Sequence, residues 1–186
     1  RRQRQMCIRD RFCYDLKEQS LRNYILTEHS LVSTNVKCLT VDNSGTIWIG
    51  FYGDGLFYSK DNLKTLHPYL SPVDNEETYN DDVVSKIVLG AYNCLYISSL
   101  KGGVKELNLT SGKLRDLLLK DENNEAIYCR TLLVYTDNEL WIGTESGVYI
   151  YNLRTEKYTH LRSSEYDPYS LSDNAIYSFC KDREDG

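Results

Sequence analysis

The stretch TIWIG, residues 46–50, is apolar on both sides of an extended strand. Ile47 and Ile49 share one side and Trp48 lies on the other, because successive side chains of a strand point to opposite faces. An exposed antiparallel hairpin would alternate apolar with polar residues. The stretch therefore predicts a strand with neighbours on both faces, an arrangement that radially stacked sheets supply.

The same pattern recurs twice, as CLYIS at residues 94–98 and ELWIG at residues 139–143. The aromatic centres Trp48, Tyr96 and Trp141 lie 48 and then 45 residues apart. One apolar run precedes each copy, and a glycine turn and two further strand-like runs follow it. Four strands at a period of about 45 residues are typical of β-propeller blades. One blade cannot bury its faces alone, so the unit is stable only as an array.

The repeat predicts an all-β chain, a β-propeller fragment of four-stranded antiparallel blades. About three complete blades are expected, with partial blades at both ends, because the end segments YDLKEQSLRNY and IYSFCKD match parts of the repeat. The expected segments are the end of a blade at residues 12–26, full blades at 33–70, 82–119 and 127–162, and the start of the next blade at 175–186.

Two residue types inside the repeated strand have expected structural roles. Gly50 and Gly143 are expected to leave room for close approach of the next blade's backbone. Trp48 and Trp141 lie in strands buried on both faces, so core packing is favoured over sugar stacking.

Residues 1–11, RRQRQMCIRDR, differ from the rest of the chain, with five arginines and no apolar period. The string resembles a translated sequencing-adapter sequence that recurs at the ends of assembled metagenomic reading frames. The alternative is a basic tether for nucleic acid or membrane. We expect an artefact that is not native protein, and we exclude these residues from the fold.

Composition excludes several classes of protein. The hydrophobic fraction of 41% and charged fraction of 26% are ordinary for a globular chain. The net charge of −5 argues against nucleic-acid contact, and no apolar run is long enough to span a membrane. The six cysteines form no C-x-x-C pair, which favours buried free thiols over a disulfide framework. Cys38 and Cys180 lie in apolar runs where a thiol acts as a small hydrophobe.

The Asp-rich turn, the L/I-W-I-G strand, the glycine turn and the aromatic strand together resemble the two-component regulator propeller repeat. SLSDNAI, residues 170–176, is similar to the S-L-S-x-N-x-I/V segment that begins a blade in that family. The resemblance covers residues 12–186 and is most specific at ELWIGTESGVYIYN. The middle copy departs from it, since LYIS replaces W-I-G.

This resemblance implies a ligand-sensing segment of a membrane-bound hybrid histidine kinase, periplasmic and dimeric, that responds to an oligosaccharide and regulates transcription. Its other expected partners are the remaining blades of the same chain. The alternative is a secreted propeller enzyme acting on glycans or a protein-interaction scaffold, because propellers host many functions. We expect no cofactor, no metal site and no catalytic residue in this segment, because the histidines and carboxylates lack catalytic or ligand spacing.

The ligand site is expected on connections. In a four-stranded blade the second-to-third turn and the blade-to-blade connection emerge on one rim, and loops on a rigid scaffold usually carry recognition. The candidate residues are Tyr52, Asp54, Tyr79, Lys101, Glu145, Tyr166 and Tyr169.

Overall fold

The structure, a computed structural model, describes residues 11–16, 18–24, 35–69, 83–118 and 120–182. A two-stranded antiparallel sheet comes first, with β1 (Arg11–Asp15) paired to β2 (Ser20–Tyr24). Arg11, the last residue of the excluded N-terminal segment, pairs with Tyr24, while residues 1–10 lie outside the described residues.

Three four-stranded antiparallel sheets follow, and in each one every strand pairs with its neighbour along the chain. The strands of the first blade are β3 (Val36–Val41), β4 (Ile47–Phe51), β5 (Leu56–Ser59) and β6 (His67–Pro68). Those of the middle blade are β7 (Val84–Leu89), β8 (Cys94–Ser99), β9 (Gly103–Asn108) and β10 (Leu114–Leu118). Those of the third blade are β11 (Cys129–Thr136), β12 (Glu139–Thr144), β13 (Val148–Asn152) and β14 (Lys157–Leu161). The predicted all-β propeller architecture is confirmed.

The blades stack through their first strands, since β3 lies beside β7 and β7 beside β11. A Cβ atom on Gly50 would lie 2.5 Å from Cγ1 of Val84 in the next blade, so the next blade approaches Gly50 closely, through a side chain where the sequence predicted its backbone. Gly143 plays the same part, because a Cβ there would lie 2.8 Å from Cγ2 of Ile176. Residues 176–182 thus lie along the third blade, although they form no strand with any other described residue.

The middle blade has Ser98 at the position of these glycines. Its hydroxyl lies 2.8 Å from the hydroxyl of Ser85, which donates to the carbonyl of Cys129 in the next blade at 2.8 Å. Hydrogen bonds between hydroxyl and carbonyl groups therefore link the blades at this junction, where the glycine junctions have close side-chain packing.

The cysteines of the described blades carry free thiols. Burial raises the pKa of the Cys38 thiol to about 11 and raises the pKa of Cys129 even further. Cys180 is exposed, which corrects the expectation of a buried thiol there. The segment that contains Cys180 packs on the third blade with one side only, so the opposite side of the segment is exposed to solvent.

Candidate ligand-binding rim

Each complete blade has a β-bulge at the start of its first strand. The pairing register between the first and second strands shifts at the same place in all three sheets. The bulged residues are Lys37, Ser85 and Arg130. A bulge turns one side chain out of the ordinary alternation, so these residues are re-aimed at equivalent positions around the blades.

The second-to-third turns lie beside these bulges. In each blade a backbone N–H of this turn donates to a carbonyl just before the first strand. These bonds join Tyr52 to Asn35 at 2.9 Å, Leu100 to Val83 at 3.0 Å and Glu145 to Tyr128 at 3.2 Å. We call this end of the blades, formed by the bulges and the second-to-third turns, the rim.

In the first blade the rim presents a cation against an aromatic ring. The Nζ atom of Lys37 lies 5.1 Å from the ring centroid of Tyr52, within the range of a cation–π contact. Tyr52 is 49% exposed and forms an isolated bridge with Val83 of the next blade. Asp54 follows in the same turn and is half-buried. The Tyr52 ring is therefore held in place while part of its surface stays accessible.

In the third blade the same position carries Arg130. Its Nη2 donates to Oε1 of Glu145 at 2.6 Å, and its Cζ lies 4.5 Å from the ring centroid of Tyr177. Its Nε is buried and has no hydrogen-bond partner among the described residues. Arg130 therefore joins the turn of its own blade to the segment that follows the third blade.

The structure places some of the predicted site residues at the same end of the blades. Tyr52 and Glu145 lie at the rim beside the bulged residues, and Lys101 is exposed on the equivalent turn of the middle blade. Tyr166 and Tyr169 are 95% and 96% exposed on the connection after the third blade. Within the described parts of the chain, no hydrogen bond, ion pair or ring contact joins their side chains to the bulged residues. The predicted site residue Tyr79 lies outside those parts.

Sequence reasoning missed Lys37, Arg130 and Tyr177. Each is the second residue of its copy of the first strand, in VKCLTV, CRTLLV and IYSFCK. A polar or aromatic residue recurring at one position of an apolar run was the available signal. Its meaning depends on the bulge, which is a matter of pairing register and is not visible in a single sequence.

Ordinary packing explains the histidines that the structure describes. His160 stacks on Tyr149 with 3.7 Å between ring centroids, and its Nε2 lies 2.9 Å from the carbonyl of Ser146. Among the described residues no group of three or more His, Cys, Asp or Glu side chains is placed to hold a metal ion. In the same parts of the chain, no helix has the length and apolar character to cross a membrane.

Comparison with known proteins supports the propeller fold. The model of the two component regulator propeller family matches residues 30–53, which contain the first bulge and the TIWIG strand. Residues 30–53 are thus similar to one two component regulator propeller repeat. No curated protein matches the sequence of this propeller segment.

Solved structures share the propeller fold. The extracellular domain of the hybrid two component system BT4673 from B. thetaiotaomicron superimposes with a TM-score of 0.76 at 18% identity, covering 93% of this chain and 22% of that one. PorZ of the type-IX secretion system of Porphyromonas gingivalis gives 0.66 at 12% identity, covering 90% and 26%. Virginiamycin B lyase from Staphylococcus aureus gives 0.59 at 15% identity, covering 85% and 50%. The propeller segment thus spans half or less of each of these chains.

Proposed function

We propose that this chain is the ligand-sensing propeller segment of a membrane-bound hybrid two-component histidine kinase. The regulator propeller repeat at residues 30–53 supports this role. The fold shared with the extracellular domain of a hybrid two component system supports it as well. In this role the segment lies in the periplasm, an oligosaccharide is the ligand, and binding regulates transcription.

The rim is the observation that carries the binding part of this proposal. Lys37 and Arg130 occupy equivalent bulges, and each packs on an exposed tyrosine ring. The exposed fraction is 49% for Tyr52 and 70% for Tyr177. A tyrosine ring packs on the apolar C–H face of a sugar while its hydroxyl forms hydrogen bonds. The neighbouring ammonium and guanidinium groups donate hydrogen bonds to sugar oxygens. A ligand at the rim can therefore contact Lys37 and Tyr52 in the first blade, or Arg130 and Tyr177 at the third blade and the segment that follows it.

Signalling requires that the ligand discriminate between two arrangements of the sensor. A ligand that binds both arrangements equally shifts no equilibrium, however tightly it binds. Contacts between blades, such as Arg130 on Tyr177, are where a ligand at the rim would gain or lose interactions when blades shift. In the proposed homodimer such a shift would pass to the kinase region.

The test uses the complete protein with Lys37→Ala and Arg130→Ala, titrated with a glycan panel and assayed for autophosphorylation. Both variants should weaken binding about tenfold or more and raise the glycan concentration needed for the response. Lys64→Ala, on an exposed turn of the first blade away from the rim, is the matched control. No glycan binding to the wild-type protein at millimolar concentration would remove the sugar ligand, and glycan cleavage would indicate an enzyme instead.

A further inference from the structure

The first and third blades close their aromatic core in the same way. Nε1 of Trp48 donates to Oδ2 of Asp42 at 2.9 Å, and Nε1 of Trp141 donates to Oε1 of Glu139 at 2.6 Å. In the middle blade Tyr96 takes the place of tryptophan. Its hydroxyl has no hydrogen-bond partner among the described residues, although its side chain is otherwise buried.

A cleft of about 350 Å³ opens at this position, between the middle and third blades. Its lining includes the buried side chains of Tyr96 and Cys94 and the half-buried Leu153. It lies among first-to-second and third-to-fourth turns, which emerge at the opposite end of the blades from the rim. The amide of Leu153 donates to the carbonyl of Asn138 at 2.8 Å, which fixes two of these turns together. The volume is at the lower end of the range for small-molecule sites, roughly 300–1,000 Å³.

An exposed aromatic ring stands at the cleft. Tyr92 lies in the first turn of the middle blade, is 77% exposed and has a φ of 56°. The equivalent turns of the other two blades carry short polar residues, DNSG and TDNE. Of the three complete blades, the middle one thus carries an exposed aromatic ring, Tyr92, in its first-to-second turn.

The charges that line the cleft are balanced, and one pair of them is already satisfied. Arg115 contacts both oxygens of Glu106, at 3.0 and 3.1 Å, and also Glu156 at 2.7 Å. Asp137 and Arg154 also line the cleft, and their exposed side chains have no polar partner among the described residues. The Asp137 carboxylate and the Arg154 guanidinium are therefore available to accept and donate hydrogen bonds beside the Tyr92 ring.

We propose that this cleft binds a neutral, hydroxyl-rich ligand, a short saccharide. The Tyr92 ring packs on the C–H face of the saccharide, and Asp137 and Arg154 form hydrogen bonds with the saccharide's hydroxyl groups. The Tyr96 hydroxyl forms a further hydrogen bond with the saccharide. An apolar ligand would desolvate Asp137 and Arg154 without replacing their hydrogen bonds, and a charged ligand would face a group of its own sign. This site is separate from the rim and does not require the chain to be a sensor.

The test is calorimetric titration of the complete protein with three neutral trisaccharides, maltotriose, cellotriose and mannotriose. Tyr92→Ala should weaken binding about tenfold through loss of the stacking surface. Arg154→Ala and Tyr96→Phe should weaken it several-fold, since each removes one hydrogen-bonding group. Asn43→Ala and Lys64→Ala, on the equivalent turns of the first blade, are matched controls and should leave affinity unchanged.

Two outcomes would overturn the proposal. In the first, a trisaccharide binds and its affinity is the same in Tyr92→Ala and Tyr96→Phe as in the wild type. Tyr92→Ala changes a residue of the turn and could disturb the turn's conformation. Tyr96→Phe keeps the buried ring and leaves the turn unchanged, so its result reports on the hydroxyl alone. In the second, no neutral trisaccharide binds while acidic oligosaccharides do, with their affinity dependent on Lys37 and Arg130. That result would remove the cleft site and leave the sensor proposal standing.

Discussion

The two Trp-containing blades and the middle blade differ in how the aromatic residue of the second strand is hydrogen-bonded and packed. In the first blade the indole N–H of Trp48 donates to Asp42 in the adjoining turn, and in the third blade that of Trp141 donates to Glu139 at the start of its own strand. In the middle blade a smaller ring leaves a free hydroxyl and a cleft. Repeats specify structure where every copy agrees, and sites arise where one copy departs.

At the rim, the other end of the blades, the three complete blades share one backbone feature. All three complete blades share the bulge, so the backbone at the rim is common to them while the bulged side chains differ: Lys37, Ser85 and Arg130. The rim therefore has a repeated backbone with different side chains in each blade, whereas the cleft described here lies between the middle and third blades.

The largest effect should come from the blade junctions. Gly50→Ala would place a methyl group 2.5 Å from Cγ1 of Val84 and 2.7 Å from the Cys38 sulfur, and should lower the free energy of unfolding by about 3 kcal/mol. Ser98→Gly, at the same position of the middle blade, should cost only about 1 kcal/mol, because it removes one hydroxyl. Urea unfolding followed by tryptophan fluorescence measures both. A smaller cost for Gly50→Ala than for Ser98→Gly would contradict close approach at this junction.

The aromatic cores should differ next. Asp42→Ala removes the acceptor of the Trp48 indole N–H and of two backbone amides, so it should cost about 2 kcal/mol of unfolding free energy. Tyr96→Phe in the middle blade removes a hydroxyl that has no described partner and should change stability by less than about 0.5 kcal/mol. Equal losses in the two variants, measured by urea unfolding, would erase the distinction between the two kinds of blade.

The Asp42 turn should also give stability a pH dependence. Burial alone would raise the pKa of Asp42, but hydrogen bonds from Ser44, Trp48 and Thr46 outweigh it and hold the pKa below its ordinary value. The carboxylate therefore stabilises the fold above the free-Asp pKa of about 3.9, and this contribution is lost as the pH falls through the lower folded-state pKa. Asp42→Asn should flatten part of the fall in melting temperature below pH 4. An unchanged profile would count against this hydrogen-bonded turn.

The smallest effect concerns the thiols. Among the four cysteines whose burial the structure describes, exposed Cys180 should react first with iodoacetamide, and Cys38 and Cys129 should be the slowest, because burial raises the pKa of both thiols. Cys94, whose thiol pKa burial also raises, lines the cleft and should react at an intermediate rate that a bound trisaccharide lowers. Mass spectrometry of the labelled peptides gives the order. Fast labelling of Cys129 would show that the third blade opens in solution.

The sequence was enough to predict the blades but only part of the site. The period of the aromatic strand placed the sheets, and the glycines of the first and third copies marked two junctions, because both depend on local pattern and backbone space. The rim residues Lys37 and Arg130 were missed, since a bulge is set by pairing between strands. The cleft was missed too, since it depends on the volume of Tyr96 relative to tryptophan within a packed neighbourhood.

Filling the cleft tests most directly whether the break in the repeat makes the site. Tyr96→Trp returns the middle blade to the aromatic residue of its neighbours and puts added volume into the cleft. The measurement is calorimetric titration of this variant with the trisaccharide that the wild-type protein binds best. We expect binding to be lost while the melting temperature stays within a few degrees of the wild-type value. Trisaccharide affinity equal to that of the wild type would contradict the account.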